Sequence, residues 1–571
     1  MIRRTLDMTL LVKGPVITRS SSIGDVGVDA PMAKRAIEGV ERYYLPGRLV
    51  KGLLREAWQE LGVVKPEYAR YVTKWLGEES SAPDDAPDRG RLFFSDFVDR
   101  ATDAPKIDPA ETLRYRIHVN EETGAADSGM LQVMSTPYAA LKQISFSGEV
   151  RCLAGAGEDI DPVIEAVHRG LLWVRAVGGA RTSGFGEVLN VTCAGRKPGG
   201  GAEAPTLRGT VWDYRISFSE PVILSKRRIA DNLFESGDVV PGGALKGAVA
   251  DMIEREPEVY RELKAELNAV RFTHGFPAEK GGARPRWRPL SLLSTESGIV
   301  DAMDQPEGRE GFFAIDWKDS ERRDAQKKYP WPEVPYELRV RTAIDSSKGR
   351  SRDKALFAWQ MLDPVKFEWL GQVETADLTE KARFQLRQLL SFGVEPIGKT
   401  KARGQVRLTD SEKRAGASAY PTWTITLQTP ALLIDPDKPL HGENELRAEY
   451  ARVWDELSGG SLSLDSKAYF QSCSLAGGEY FRRRFSKDRD LYRPYLLTDA
   501  GSTFRLKPVS GREADAAACI EKWMLKGLPL STSVCEFYGI PDAPSEMWRH
   551  CPYLPENGYG EIHAGGFDVP A

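Results

Sequence analysis

The chain has 571 residues, too many for a single hydrophobic core, so two to four domains are expected. With 41% hydrophobic and 28% charged residues it has the composition of an ordinary soluble globular protein. A net charge of −4 argues against indiscriminate nucleic-acid binding but leaves room for a local basic groove among 78 Lys and Arg.

Leu6, Met8 and Leu10 alternate with polar residues, so the chain opens on a strand. Residues Ser20 to Arg42 are polar and without clear periodicity, and read as a long loop. YLPGRLVKG follows, from Tyr44 to Gly52, with apolar residues at Leu49, Leu53, Leu54, Ala57 and Leu61. That is helical spacing, with Pro46 in the first turn and glycine permitting close backbone approach. A lysine beside free helix N–H groups suits an anion, so the stretch reads as a helix start built to hold a phosphate. Pro66 to Leu76 continues as helix, Glu78 to Arg91 reads as a mobile segment, and Leu92 to Phe97 as one strand. Arg116 to Val133 reads as a hairpin, Ile144 to Leu153 as a strand, and Asp161 to Val174 as a helix capped by Asp161. The glycine-rich VGGARTSGFGEVLNV then leads into a strand, and Lys197 to Pro205 reads as a linker.

The same order then restarts. Trp212, Tyr214, Ile216 and Phe218 alternate, and a polar loop spans Ser225 to Asp238. VPGGALKG, from Val240 to Gly247, opens a second helix marked by Leu245, Val249, Met252 and Ile253. Arg341 to Phe357 matches the first hairpin in outline. Trp369-Leu370-Gly371-Gln372-Val373 answers Phe146-Ser147-Gly148-Glu149-Val150, a helix follows over Thr379 to Ser391, and PIGKTKARGQVRL supplies a second glycine-rich loop. Landmarks repeated in one order indicate a tandem duplication. A third first-strand pattern (Trp423, Ile425, Leu427) and a closing PENGYGEIH suggest a further, partial copy. The expected domains are 1–200, 208–412 and 418–571. The expected fold class is α+β, with tandem ferredoxin-like (RRM-like) modules carrying hairpin and loop insertions.

YLPGRLVKGLLRE, GGARTSGFGEV and GKTKARGQVRL resemble the first-helix motif and the glycine-rich loop of the RAMP superfamily of CRISPR-associated proteins. Gly27-Val28-Asp29-Ala30-Pro31 resembles the segment that carries the catalytic aspartate in backbone subunits of type III effector complexes. VPGGALKG, AIDSSKGRSRDKALF and DAGSTFRL are similar to the larger RAMP subunit of type III-D systems. The resemblance implies a guide-RNA-binding backbone subunit whose hairpins act as thumbs on the guide–target duplex. Its implied partners are guide RNA, target RNA and sister subunits.

It further implies that Asp29 cleaves target RNA, with Mg²⁺ as the implied cofactor; Asp25 is the local competitor, and Asp231 could stand in within the second copy. Alone, Asp29 also suits a turn cap. Arg48, Lys51, Arg55 and Arg181, with Lys226, Arg227, Lys246, Lys399, Lys401 and Arg403, are the candidate RNA contacts, as cations beside glycine turns. A non-catalytic RNA-binding scaffold is the main alternative. A guide-processing endoribonuclease is the third, weakened because no histidine lies in an early loop or first helix. No apolar run is long enough to span a bilayer, and MIRRTLDMTL lacks the apolar core of a signal peptide. The six cysteines form no C-x-x-C pair, so neither a zinc site nor a disulfide framework is expected, and a reducing cytoplasm is the expected setting.

Overall fold

Leu6, Met8, Leu10 and Val12 all point from strand Ile2–Lys13 into one core and are fully buried. The computed structural model describes residues 2–18, 28–37, 40–77, 90–100, 112–120, 122–155, 158–196, 206–230, 232–295, 298–303, 329–345, 350–411, 421–436, 442–478 and 493–565. In the first unit (Met1–Ala202, Arg227–Glu235, Tyr336–Met361) strand Ile2–Lys13 lies between Glu187–Arg196 and Gln143–Ala154. Leu92–Phe94 and Phe97–Asp99 both pair with the far side of Gln143–Ala154. In chain order this is the fourth-first-third-second arrangement of a ferredoxin-like sheet.

Two helices cover that sheet. Gly47–Val64 buries Val50, Leu53, Leu54, Ala57 and Trp58, and Asp161–Trp173 buries Val163, Ala166, Val167 and Leu171. Each such side chain removed from water contributes about 1.5–3 kcal/mol. The helices meet at Gly170, where a Cβ would lie 2.5 Å from Leu54 Cδ1 and 2.6 Å from Trp58 Nε1. Asp161 is the first residue of its helix and makes an ion pair with Arg4 at 2.8 Å, in place of the expected side-chain cap.

The second unit holds two more sheets of this order. One runs Ala402–Asp410, Val211–Phe218, Phe367–Glu374, then Arg271–Phe272 with Phe276–Glu279. Its helices are Gly242–Glu254 and Glu380–Ser391, the latter capped by Thr379, which accepts from the Ala382 N–H. The other runs Ile562–Ala564, Trp423–Leu427, Thr503–Pro508, Leu462–Phe470. Its helices, Glu443–Leu457 and Glu513–Lys526, bring Tyr450, Trp454, Ile520 and Trp523 onto Trp423, Ile425 and Leu427. The last third of the chain is therefore the same α+β module again.

Between its second and third strands each module carries a strand pair. These are Leu113–Val119 with Ala126–Ser135, Tyr336–Asp345 with Arg350–Leu362, and Cys473–Ala476 with Tyr495–Thr498. The second pair, down to Met361, belongs to the first unit.

Three expectations need correction. Within Ser20 to Arg42 the described residues hold strands, not a loop: Ala30–Pro31, and Lys34–Ile37 paired with Val40–Leu45. Within Ser225 to Asp238 they form Leu224–Ala230 and Leu233–Gly237. These are short segments of the smaller sheets and of a sheet edge, where no continuous buried face imposes an alternating pattern. The expected single strand from Leu92 to Phe97 breaks at Ser95-Asp96. Of the proposed mobile segment (78–91), residues 78–89 lie outside the described residues, as does the proposed linker (197–205).

Candidate functional site

Both Pro-Gly motifs begin helices as the spacing predicts, but at each the first helical N–H already has an acceptor from the chain itself. The Gly47 N–H donates to Asp96 Oδ1 at 2.9 Å. Asp96 is nearly buried, and its Oδ2 accepts from Arg35 at 3.1 Å and Arg339 at 3.0 Å. Burial would raise the Asp96 pKa, yet Arg339 and Arg35, with the Gly47 N–H, hold it below the ordinary carboxylate range. In the second copy the Gly242 N–H points to His274 Nδ1 at 3.3 Å. Burial pushes the His274 pKa down to about 3, so the ring is neutral, and an accepting Nδ1 places its proton on Nε2.

The equivalence extends to single hydrogen bonds. Ser95 N donates to Glu149 O and Thr273 N to Gln372 O, each at 2.9 Å. Ser95 Oγ accepts from Glu149 N at 2.8 Å, and Thr273 Oγ1 from Gln372 N at 2.7 Å. Phe94-Ser95-Asp96 and Phe272-Thr273-His274 are thus the same three positions. The motif glycines are required by backbone: a Cβ on Gly47 would lie 2.2 Å from Ser95 O, and on Gly242 2.0 Å from Phe272 O. The phosphate-holding helix start is therefore corrected to one filled by the chain's own acceptor.

The motif lysines turn toward the carbonyl ends of later helical turns. Lys246 Nζ donates to Asn268 O and Val270 O, both at 2.9 Å, and burial lowers its pKa to about 8. Lys51 Nζ lies 3.1 Å from the place a Cβ on Gly90 would take, next to Leu76 O. Arg55 donates to Leu76 O at 3.2 Å and Gly77 O at 2.8 Å. Arg403 donates to Phe392 O at 2.9 Å, at the end of helix Glu380–Ser391. Lys246, Arg55 and Arg403 thus satisfy carbonyls at helix C-terminal ends, where the dipole favours a cation.

Arg48 is exposed and lies over the Trp359 ring at 4.3 Å; desolvation there, then Arg339, lowers its pKa to about 10. Arg181 is exposed and pairs with Glu56 at 3.2 Å. Lys399 and Lys401 are exposed on the second glycine-rich loop, whose Lys399 N–H is held by Ile223 O at 3.1 Å. In the first such loop Gly179 N–H is held by Ile17 O at 2.8 Å in the same way. Lys226 and Arg227 lie on strand Leu224–Ala230, and their side chains fall outside the described residues.

Asp29 sits exposed at the base of the first hairpin. Its N–H donates to Val133 O at 2.9 Å, and its Oδ2 accepts from Val133 N at 2.7 Å. Ala30 then pairs parallel with Met134. This two-way clamp fixes the carboxylate's orientation beside the hairpin strand. In the second copy Leu233 pairs parallel with Ala358, and the residue before it is Asn232, whose carbonyl accepts from Ala358 N at 2.6 Å. Asp25 and Asp231 lie outside the described residues. Among the described residues no group of three or more His, Cys, Asp or Glu is placed to hold a metal ion. No described helix is long and apolar enough to cross a membrane.

Both hairpins turn an apolar row outward. Tyr115, Ile117 and Val119 are 65%, 57% and 48% exposed, and Tyr336, Leu338 and Val340 are 45%, 45% and 41% exposed. Sequence reasoning missed Asp96, His274 and Arg339. The first two could have been found by aligning Phe-Ser-Asp with Phe-Thr-His once the repeat was known.

Residues 14–188, from the end of the first strand into the last strand of the first module, match the model of the RAMP superfamily. That match covers most of the first module and about a third of the chain. The match spans Asp29, the helix start and the first hairpin. No curated protein matches the chain. Among solved structures, a chain of the Type III-B Cmr-beta complex bound to cognate target RNA and AMPPnP is similar at 12% identity and a TM-score of 0.30, covering 51% of this chain and 86% of that one. The same complex bound to cognate target RNA alone gives 11% identity with equal coverage and TM-score. A chain of a Type IV-B CRISPR complex is similar at 13% identity and a TM-score of 0.22, covering 36% of this chain and 96% of that one.

Proposed function

We propose that the chain is a guide-RNA-binding backbone subunit of a type III CRISPR ribonucleoprotein in the cytoplasm, and that its first RAMP module cleaves complementary target RNA through Asp29. The observation that carries this reading is the position of Asp29. It lies within the RAMP match, exposed, with its carboxylate oriented by the Val133 N–H at the foot of an outward-facing hairpin. RNA cleavage by a neighbouring 2′-hydroxyl needs in-line geometry and a proton acceptor. Asp29 offers the acceptor, and the hairpin's exposed Tyr115, Ile117 and Val119 offer a surface to displace a base. A Mg²⁺ ion takes one or two carboxylates together with phosphates and water, so Asp29 fits as its single protein ligand. When bound, the ion would stabilise charge on the reacting phosphate. Arg48, Arg181, Lys399 and Lys401 are the exposed cations for RNA phosphates.

The hydrogen bond from Val133 to Asp29 also suits a purely structural carboxylate, which favours the scaffold reading as the alternative. One experiment separates them. In the assembled complex with guide, Asp29→Ala is expected to abolish one cut in the target ladder while RNA binding is retained. An unchanged ladder removes Asp29 from the chemistry and leaves the scaffold.

A further inference from the structure

The second hairpin is built by the second module yet belongs to the first unit. Inside that unit, three of its residues face the first helix start. Arg339 Nη2 reaches Asp96 Oδ2 at 3.0 Å, and its Nε reaches Glu337 Oε1 at 2.5 Å. Its guanidinium carbon also lies 5.1 Å from the centre of the Tyr44 ring. Glu337 Oε1 lies 3.5 Å from the Tyr44 hydroxyl, and Trp359 lies under Arg48 at 4.3 Å. Alternation explains the layout: Glu337 and Arg339 face inward, while Tyr336, Leu338 and Val340 face out.

We infer that Asp96 is a positioning residue that seats the second hairpin, so that a charge at the first module's helix start fixes where the second module's hairpin stands. Asp96 occupies the place where the helix dipole favours an anion. It joins one guanidinium from the first module, Arg35, and one from the hairpin, Arg339. Removing one partner of a buried ion pair leaves an uncompensated charge, so the hairpin is held by more than its own strand pairing. The groups facing Asp96 are Arg35, Arg339 and the Gly47 N–H, with Tyr44 and Glu337 around Arg339. The second helix start has neutral His274 in the equivalent place and thus no charge with which to seat a hairpin.

This inference does not depend on RNA or on cleavage, and the free full-length chain tests it. Arg339→Gln leaves Asp96 with Arg35 and Gly47, so the first module keeps its fold. Amide hydrogen exchange over residues 350–362 is expected to rise roughly tenfold or more, while helix Gly47–Val64 keeps its protection. Asp96→Asn is expected to loosen the same hairpin, and the double variant to loosen it no further than one single change. Unchanged hairpin exchange in Arg339→Gln overturns the inference. So does equal loosening of helix and hairpin, because the cluster would then be general packing. If Asp96→Asn fails to fold, the Arg339→Gln result decides alone.

Discussion

Phe94-Ser95-Asp96 and Phe272-Thr273-His274 hold the same place in two copies of one module, and they close the same kind of helix start by different chemistry. In the first copy a full carboxylate takes the Gly47 N–H and must then be balanced by Arg35 and by Arg339 from a hairpin built some 240 residues later in the chain. In the second copy a neutral ring takes the Gly242 N–H and needs no counter-charge. What packs there instead is the last module's glycine-rich turn. A Cβ on Gly558 would lie 2.4 Å from His274 Nδ1, Tyr559 meets the ring edge-on at 4.7 Å, and Glu561 grips Arg284 at 2.7 and 2.8 Å. The backbone hydrogen bonds around the two sites are nearly identical. The difference teaches that duplication preserved the frame while the acceptor side chain selected what docks on it.

The sharpest way to break that comparison is to remove the charge. Asp96→Asn keeps the shape but strands two guanidinium groups, and is expected to cost about 3–5 kcal/mol in denaturant unfolding of the first unit. His274→Asn in the second unit is expected to cost only about 1 kcal/mol, the worth of one neutral hydrogen bond. Equal losses would mean that the two acceptors do the same job.

The glycines sharpen the comparison from the side of what the copies share. Gly47→Ala and Gly242→Ala each drive a Cβ into a carbonyl oxygen and are expected to cost about 1–3 kcal/mol. Gly52 and Gly247, the glycines that follow the motif lysines, have nothing within 4 Å of an added Cβ. At those helical positions Ala is expected to stabilise by about 0.5–1 kcal/mol. Thermal melts of the four variants check both signs, and a stabilised Gly47→Ala would refute the close approach.

A further effect is expected in acid. His274 binds its proton more weakly folded, with a pKa of about 3, than unfolded at ~6.5. The unfolded state therefore takes up the proton first, and this contribution is lost as pH falls from ~6.5 toward 3. Asp96 is held below its ordinary value, so its contribution stays until pH falls below ~4. A pH series of melts is expected to show a loss between pH ~6 and ~4 that His274→Asn removes and Asp96→Asn does not.

Much of the frame was legible in the residues. The alternation of Leu6, Met8, Leu10 and of Trp212, Tyr214, Ile216 placed both first strands, and the Pro-Gly motifs placed both first helices. The polar segments after each first strand were misread because their short strands find partners on distant hairpins, as Leu233 does on Ala358. Asp29 was legible as a candidate only through the family resemblance. That the Val133 N–H orients its carboxylate is a contact across 104 residues, and no local pattern encodes it.

By itself the sequence determined the module, its repetition and the glycines on which it turns, because strand alternation, helical spacing and a proline-glycine start are local properties. Only the tertiary structure decided what fills each helix start. A free N–H at a helix end can donate to a ligand's phosphate or to the chain's own Asp96 or His274. The choice is set by which side chain arrives there in space, 49 residues away in one copy and 32 in the other.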